Sequence, residues 1–260
     1  MTVRARFACV SGFLVFAALA APRAAGAQRS IEFLPRADFH LDAGHVGSDQ
    51  LRFKWDANLF GDVDLIGWKG GRATFLANYE VVLGDQLRRF DPNQGNYTLE
   101  GYLTQRLGGV EVSAVFHHIS RHLADRPKVA AVDWNMAGVR LRKQRTSGAL
   151  LLDGRIDARP FVLEKQLVDY EREVEGALLV RYDLKPRVSV FTNATVRVVG
   201  VDGSRHRGTQ TGVRTEGGLH LKGTGGSVEL FVAGERRIDP YPIEFGTERW
   251  VMAGFRLLSR

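Results

Sequence analysis

The sequence predicts an all-β protein, an antiparallel transmembrane β-barrel of about twelve strands, and three observations predict it. Apolar and polar residues alternate with period 2 through runs of ten residues or more. Strands of soluble proteins usually span about 5 to 6 residues, whereas barrel strands need about 9 to 11 to cross a membrane. The links between runs alternate long and short, as expected of a barrel with long extracellular loops and short periplasmic turns. Finally, the one apolar stretch approaching helical length lies at the amino terminus, where it reads as an export signal.

Residues 1–27 carry Arg4 and Arg6, an apolar section at 7–21, and then Ala25-Gly26-Ala27. These are the charged, apolar and small-residue sections of a secretory signal peptide. A membrane anchor needs about 20 apolar residues, and Pro22-Arg23 ends this one early. The mature chain is therefore expected to start near Gln28, and Cys9, the single cysteine, leaves with the signal, so no disulfide forms. The formal charge of +7 includes Arg4, Arg6 and Arg23 with no acid before Gln28, which leaves +4 on residues 28–260. Basic residues are interspersed with acids throughout, which argues against nucleic acid as a partner.

Residues 28–50 are expected as a periplasmic lead segment and 51–260 as the barrel. The first two strands fall near 51–58 and 61–68, before a turn at 69–71. From there the alternation is plain: Ala73, Phe75, Ala77, Tyr79, Val81 and Leu83 against Arg72, Thr74, Asn78 and Glu80. Next come Tyr97, Leu99, Gly101, Leu103 and Leu107 against Asn96, Thr98, Glu100, Thr104 and Arg106. The same alternation returns from Val174 to Leu184, Val188 to Val198 and Val213 to Leu221, and Val251, Ala253, Phe255 and Leu257 suit a last strand. Long links are expected at 84–95, 121–131, 158–173, 200–208 and 239–247, with short ones between. The chain ends Leu258-Ser259-Arg260, not on the aromatic residue usual for such barrels.

The polar faces hold charges of both signs in similar number, among them Arg72, Arg140, Arg142, Arg197, Arg214 and Arg256 against Glu100, Glu111, Asp153, Asp157, Glu175 and Glu216. A charge facing hydrocarbon costs roughly 2 to 4 kcal/mol at the midplane, so these faces line the lumen. Near-cancelling signs predict a lumen cross-linked by ion pairs, not an ion-selective pore.

The run Phe116-His117-His118-Ile119-Ser120-Arg121-His122, with Trp134-Asn135 beyond it, carries the chemistry. Val110, Val112, Ala114 and Phe116 form the apolar face of their strand, and continuing the period puts His118 and Ser120 on the lipid side. Asn135 falls on the same face as Ala137, Val139 and Leu141 of the next strand. Serine needs a base to take its proton, histidine can do so near neutral pH, and an amide can fix the imidazole tautomer. The plainer reading is a polar rim at the membrane boundary beside an aromatic girdle of Phe116 and Trp134. His40 and His45 about Asp42 read as polar surface more readily than as a metal site, and Ser204-Arg205-His206-Arg207 as a basic loop tip suited to anionic lipopolysaccharide.

The H-x-S pattern, an acid five residues after the serine, and W-N on the next strand resemble outer-membrane phospholipase A. The resemblance implies a twelve-stranded barrel whose lipid-facing triad would be Ser120 as nucleophile, His118 as base and Asn135 as orienting amide. It also implies Asp125 at a calcium site, calcium dependence, phospholipid as substrate and activation as a homodimer. That family has Asn-Gly after the serine, which helps form its oxyanion hole, where this chain has Arg121-His122; Arg121 is the expected stand-in as a cationic donor. The serine-to-asparagine interval is also longer here. The string H-I-S-R-H-L-A-D is similar as well to an H-x-S-S-H-x-G-D run in a family of uncharacterised bacterial outer-membrane barrels. The expected function is thus an outer-membrane lipid acyl-ester hydrolase, with a non-enzymatic structural or small-solute barrel as the alternative.

Overall fold

The computed structural model describes residues 31–124, 127 and 131–259, so the expected signal peptide lies outside the described residues. Twelve strands follow one another: β1 (Glu32–Val46), β2 (Trp55–Trp68), β3 (Gly71–Gly84), β4 (Asp91–Leu107), β5 (Val110–Leu123), β6 (Val132–Ser147), β7 (Leu150–Gln166), β8 (Tyr170–Lys185), β9 (Val188–Val201), β10 (Gln210–Lys222), β11 (Ser227–Ile238) and β12 (Thr247–Leu258). Each pairs antiparallel with its sequence neighbours, and β1 pairs with β12 to close the barrel. Closure removes the open sheet edge through the body of the barrel, so the ladder groups there find partners without water.

Period 2 does what it predicts. Leu59, Phe75, Leu103, Val139, Leu141, Ile156, Leu178, Val196, Leu219, Val232 and Val251 stand exposed round the outer wall. A closed barrel with large apolar side chains on all sides is at home only in hydrocarbon, which makes this an outer-membrane barrel. Inside, ion pairs brace strand to strand: Arg72 with Glu111, Arg142 with Asp153, Arg197 with Glu173, and Arg256 with Glu229 and Glu216. The expected cross-linked lumen is what forms.

The strand count agrees with the sequence reading, but the first two strands differ. Residues 28–50 were expected outside the barrel; instead Glu32–Val46 is β1, hydrogen-bonded on both sides. Pro35 and the small residues Ala43 and Gly44 dilute its alternation, and the proline falls at a register shift between Phe33 and Arg36. The two short segments expected at 51–58 and 61–68 are one strand, β2, running through Gly61. A Cβ at Gly61 would lie 3.0 Å from the Phe39 ring opposite, so this glycine marks a covering aromatic and not a turn.

Links at one end are short: β2 to β3 turns through Lys69-Gly70, β4 to β5 through Gly108-Gly109 and β6 to β7 through Gly148-Ala149. Each of these turns has a glycine at positive φ, a conformation that costs glycine little. At the opposite end the expected long link at 158–173 shrinks to 167–169, because β7 continues past Arg159-Pro160. The register shift between Ala137 and Val139 of β6 absorbs that pair. Proline lacks the N–H a regular ladder needs, and a bulge lets the strand carry it. Gly138 sits in that bulge, where a Cβ would come within 2.1 Å of the Ala158 carbonyl oxygen.

Candidate active site

His118, Ser120 and His122 share the even, outward parity of β5, and His117 and Arg121 point inward. The inward anchor is firm. His117 is buried, with Nδ1 2.7 Å from Glu100 Oε1 on β4. Glu100 also accepts from Arg140 Nη2 on β6 at 2.8 Å and Arg159 Nη2 on β7 at 3.2 Å. Because neighbouring side chains in a strand point to opposite faces, locking His117 into this brace directs His118 outward.

On the outer wall, His118 lies opposite Asn135 of β6, and its Nδ1 is 2.7 Å from Asn135 Oδ1. An amide oxygen can only accept, so Nδ1 carries the proton and Nε2 keeps its lone pair. That is the tautomer a general base requires.

The serine hydroxyl takes a different partner from the one expected. Ser120 Oγ lies 2.8 Å from His122 Nε2, and its hydrogen bond is to that ring and not to His118. Ser120 sits midway between the two histidines, each roughly 7 Å away along the strand. His118 is turned across the sheet to Asn135, whereas His122 leans back along its own strand.

Two tyrosines wall the site on the β3–β4 side. Tyr97 lies opposite Ser120 and meets the His122 ring edge-on at 5.7 Å, and Tyr79 stacks on Tyr97 at 4.8 Å. Gly95, opposite His122, leaves the room for this: a Cβ there would fall 2.6 Å from the Tyr79 hydroxyl. Asp133 faces Ser120 from the β6 side. The sequence reading passed over His122, Tyr97 and Tyr79 as site residues, although the parity of each was legible.

Several expectations change here. Arg121 is not available to the outer face: its Nη1 donates to the Asp239 carbonyl oxygen at 2.6 Å and its Nη2 to Gln94 Oε1 at 3.2 Å, inside the barrel mouth. Trp134 belongs to no girdle; it is 2% exposed in the lumen, with its ring edge-on to Tyr170 at 5.0 Å. His40 and His45 cannot share a metal, since His40 stacks on Phe60 while His45, an odd number of positions away, lies across the wall against Trp55. Asp125 lies outside the described residues. Among the described residues no three His, Cys, Asp or Glu side chains converge. Asp133, opposite Ser120, would supply at most two of the six to eight oxygen ligands a calcium ion takes.

Within the barrel, a cavity of about 920 Å³ opens toward the short-turn end, lined by Arg142, Arg155, Arg181, Asn193, Glu216 and Lys222 among others. At the opposite mouth the link after β11 folds in. Asp239 accepts from Arg207 Nη1 at 2.7 Å and from the Tyr170 hydroxyl at 2.6 Å, and Gln94 Nε2 donates to the Pro240 carbonyl oxygen at 2.8 Å.

No protein-family model and no curated protein sequence matches the chain. Solved structures do. Outer-membrane phospholipase A from Escherichia coli is similar over 86% of this chain and 97% of its own, with 12% identity and a TM-score of 0.53. The calcium-bound dimer of the Salmonella typhi phospholipase is similar over 86% and 90%, again with 12% identity and a TM-score of 0.53. An outer-membrane channel from Pseudomonas putida F1 matches equally well, over 92% and 99% with 12% identity and a TM-score of 0.53. An enzyme and a channel share this architecture, so the likeness carries the fold and leaves the chemistry to the residues.

Proposed function

We propose that the chain is a serine esterase of the outer membrane that hydrolyses acyl esters of membrane lipid, with Ser120 as nucleophile, His118 as general base and Asn135 as the amide that orients it. The observation that carries this reading is the 2.7 Å bond between His118 Nδ1 and Asn135 Oδ1, two residues from an outward hydroxyl. A rim histidine with no catalytic task would keep its polar nitrogens toward water and would need no amide on the next strand. The address selects the substrate: a nucleophile on the outer wall meets lipid, with the ester beneath its headgroup near the height of the rim.

In this mechanism Ser120 Oγ attacks the ester carbonyl carbon while its proton passes to His118 Nε2. A turn of the serine χ1 from His122 toward His118 brings the hydroxyl to the base. Asn135 holds the ring in place and accepts from Nδ1–H as the imidazolium forms. Collapse of the tetrahedral intermediate expels the alcohol, which recovers the proton from His118, and water then releases the acyl group from Ser120 by the same steps.

A transport role draws support from the 920 Å³ cavity, but the mouth contacts of Asp239, Tyr170 and Gln94 oppose a through-pore. The test is acyl release from phospholipid vesicles by detergent-refolded protein, with and without calcium, against Ser120→Ala. Loss of release in the variant is expected, and Asn135→Ala should lower kcat roughly 10²-fold or more by freeing the imidazole. Equal rates for the wild type and Ser120→Ala would leave a non-enzymatic barrel. The calcium arm, together with chemical cross-linking, addresses the calcium dependence and dimerisation implied by the resemblance.

A further inference from the structure

We propose that His122 is the oxyanion donor of this site, an inference that rests on the esterase reading above. Attack by Ser120 turns the carbonyl double bond into a single bond and places its electron pair on the oxygen. That oxygen needs a donor about 2.7 to 3.1 Å away. The usual source, a pair of free backbone N–H groups, is not offered by Ser120 and Arg121. Ser120 and Arg121 are paired on both sides, with Tyr97 and Asn96 of β4 and with Asp133 and Val132 of β6, so their amides belong to the ladder. The guanidinium of Arg121 is committed to the lumen.

Among the described residues, His122 combines the right face, the right reach and a donor already at the serine oxygen. Its Nε2 is 2.8 Å from Ser120 Oγ, and in the tetrahedral intermediate the oxyanion and Oγ are bonded to one carbon. When Ser120 χ1 turns Oγ toward His118, Nε2 loses that acceptor, and the oxyanion can take the place Oγ leaves beside it. The ring is steadied by the edge contact with Tyr97, which is itself stacked on Tyr79 where Gly95 leaves room. The two histidines divide the work according to their partners. His118, with Nδ1 tied to Asn135, presents a lone pair and takes the proton. His122, with no carboxylate or amide among the described residues to orient it as a base, presents Nε2–H to the oxygen. No proton leaves His122 during the cycle.

The experiment compares His122→Ala with His122→Gln in detergent-refolded protein, measuring acyl release from phospholipid and detergent mixed micelles. Heat-modified mobility on gels confirms that each variant is folded. His122→Ala should lower kcat about 10²- to 10³-fold with KM nearly unchanged, the effect of removing one oxyanion donor. Glutamine offers an amide N–H but cannot take a proton at neutral pH, so His122→Gln should recover to within about tenfold of wild type. A glutamine variant as inactive as alanine would make His122 the proton acceptor and overturn the assignment. So would an alanine variant close to wild type, or an equal loss in Tyr97→Phe, which would move the role to the phenol. If Ser120→Ala matches wild type, the esterase reading itself has failed, a result distinct from any of these.

Discussion

Glu100→Gln tests the inner brace that holds the site. Glu100 is 4% exposed and accepts hydrogen bonds from His117, Arg140 and Arg159. Taking one partner from a buried ion pair costs about 3 to 5 kcal/mol, because the other charge is left uncompensated in a poor solvent. Here the loss is softened. Arg140 keeps Asp157 at 2.5 Å, Arg159 keeps Glu173, and the glutamine oxygen can still accept from one neighbour. The expected cost is therefore about 2 to 3 kcal/mol, roughly 30- to 150-fold in the folding equilibrium. Matched urea unfolding and refolding titrations in detergent micelles, followed by tryptophan fluorescence, should show the midpoint fall with an unchanged slope. Trp134, buried against Tyr170, is a suitable reporter. With His117 loosened, acyl release should also decline several-fold. A midpoint shift worth less than about 0.5 kcal/mol would show that the brace neither stabilises the barrel nor anchors the site, and would refute the reasoning.

Two further outcomes follow from the same geometry. Leu103 is 57% exposed on the outer wall; Leu103→Arg should destabilise the barrel by roughly 2 to 4 kcal/mol, read as a reduced folded fraction by gel mobility, and an unchanged fraction would contradict the lipid-facing assignment. At the mouth, burial pushes the Asp239 carboxyl up, but hydrogen bonds from Arg207, Tyr170 and the Gly246 amide outweigh it and hold the group below the usual carboxylate range. A carboxyl depressed in the folded state adds stability above its unfolded pKa of about 3.9 and loses it as pH falls through the lower folded value. Amide exchange of residues 241–246, corrected for intrinsic rates, should therefore stay protected at pH 5 and rise only in strong acid, and Asp239→Asn should abolish that step.

Much of the site was readable before any coordinates because the strand period is an integer. Once Val110, Val112, Ala114 and Phe116 fix the outer face, His118 and Ser120 must share it, and Asn135 follows from Ala137 and Val139 on β6. By the same logic Trp134, one residue from Asn135, had to turn inward, as it does. Parity says nothing about rotamers, however. Whether Ser120 reaches back to His118 or forward to His122 is a choice of χ1 between two positions the pattern treats alike, and that choice depends on Asn135 drawing His118 across the sheet.

The sequence by itself determined the class of fold and which side of the wall each clear strand position faces, because apolar burial in lipid and charge in the lumen act residue by residue along a strand. It could not determine that Glu32–Val46 is a strand or that β7 runs through Arg159-Pro160, because those depend on partners supplied from outside the segment. The partners are β12 closing onto β1, and Gly138 making space for a bulge. The partner that holds Arg121 and the pairing of Ser120 with His122 belong to the same category. Asp239 reaches Arg121 only in the closed barrel, and Asn135 draws His118 aside only once β5 and β6 are paired.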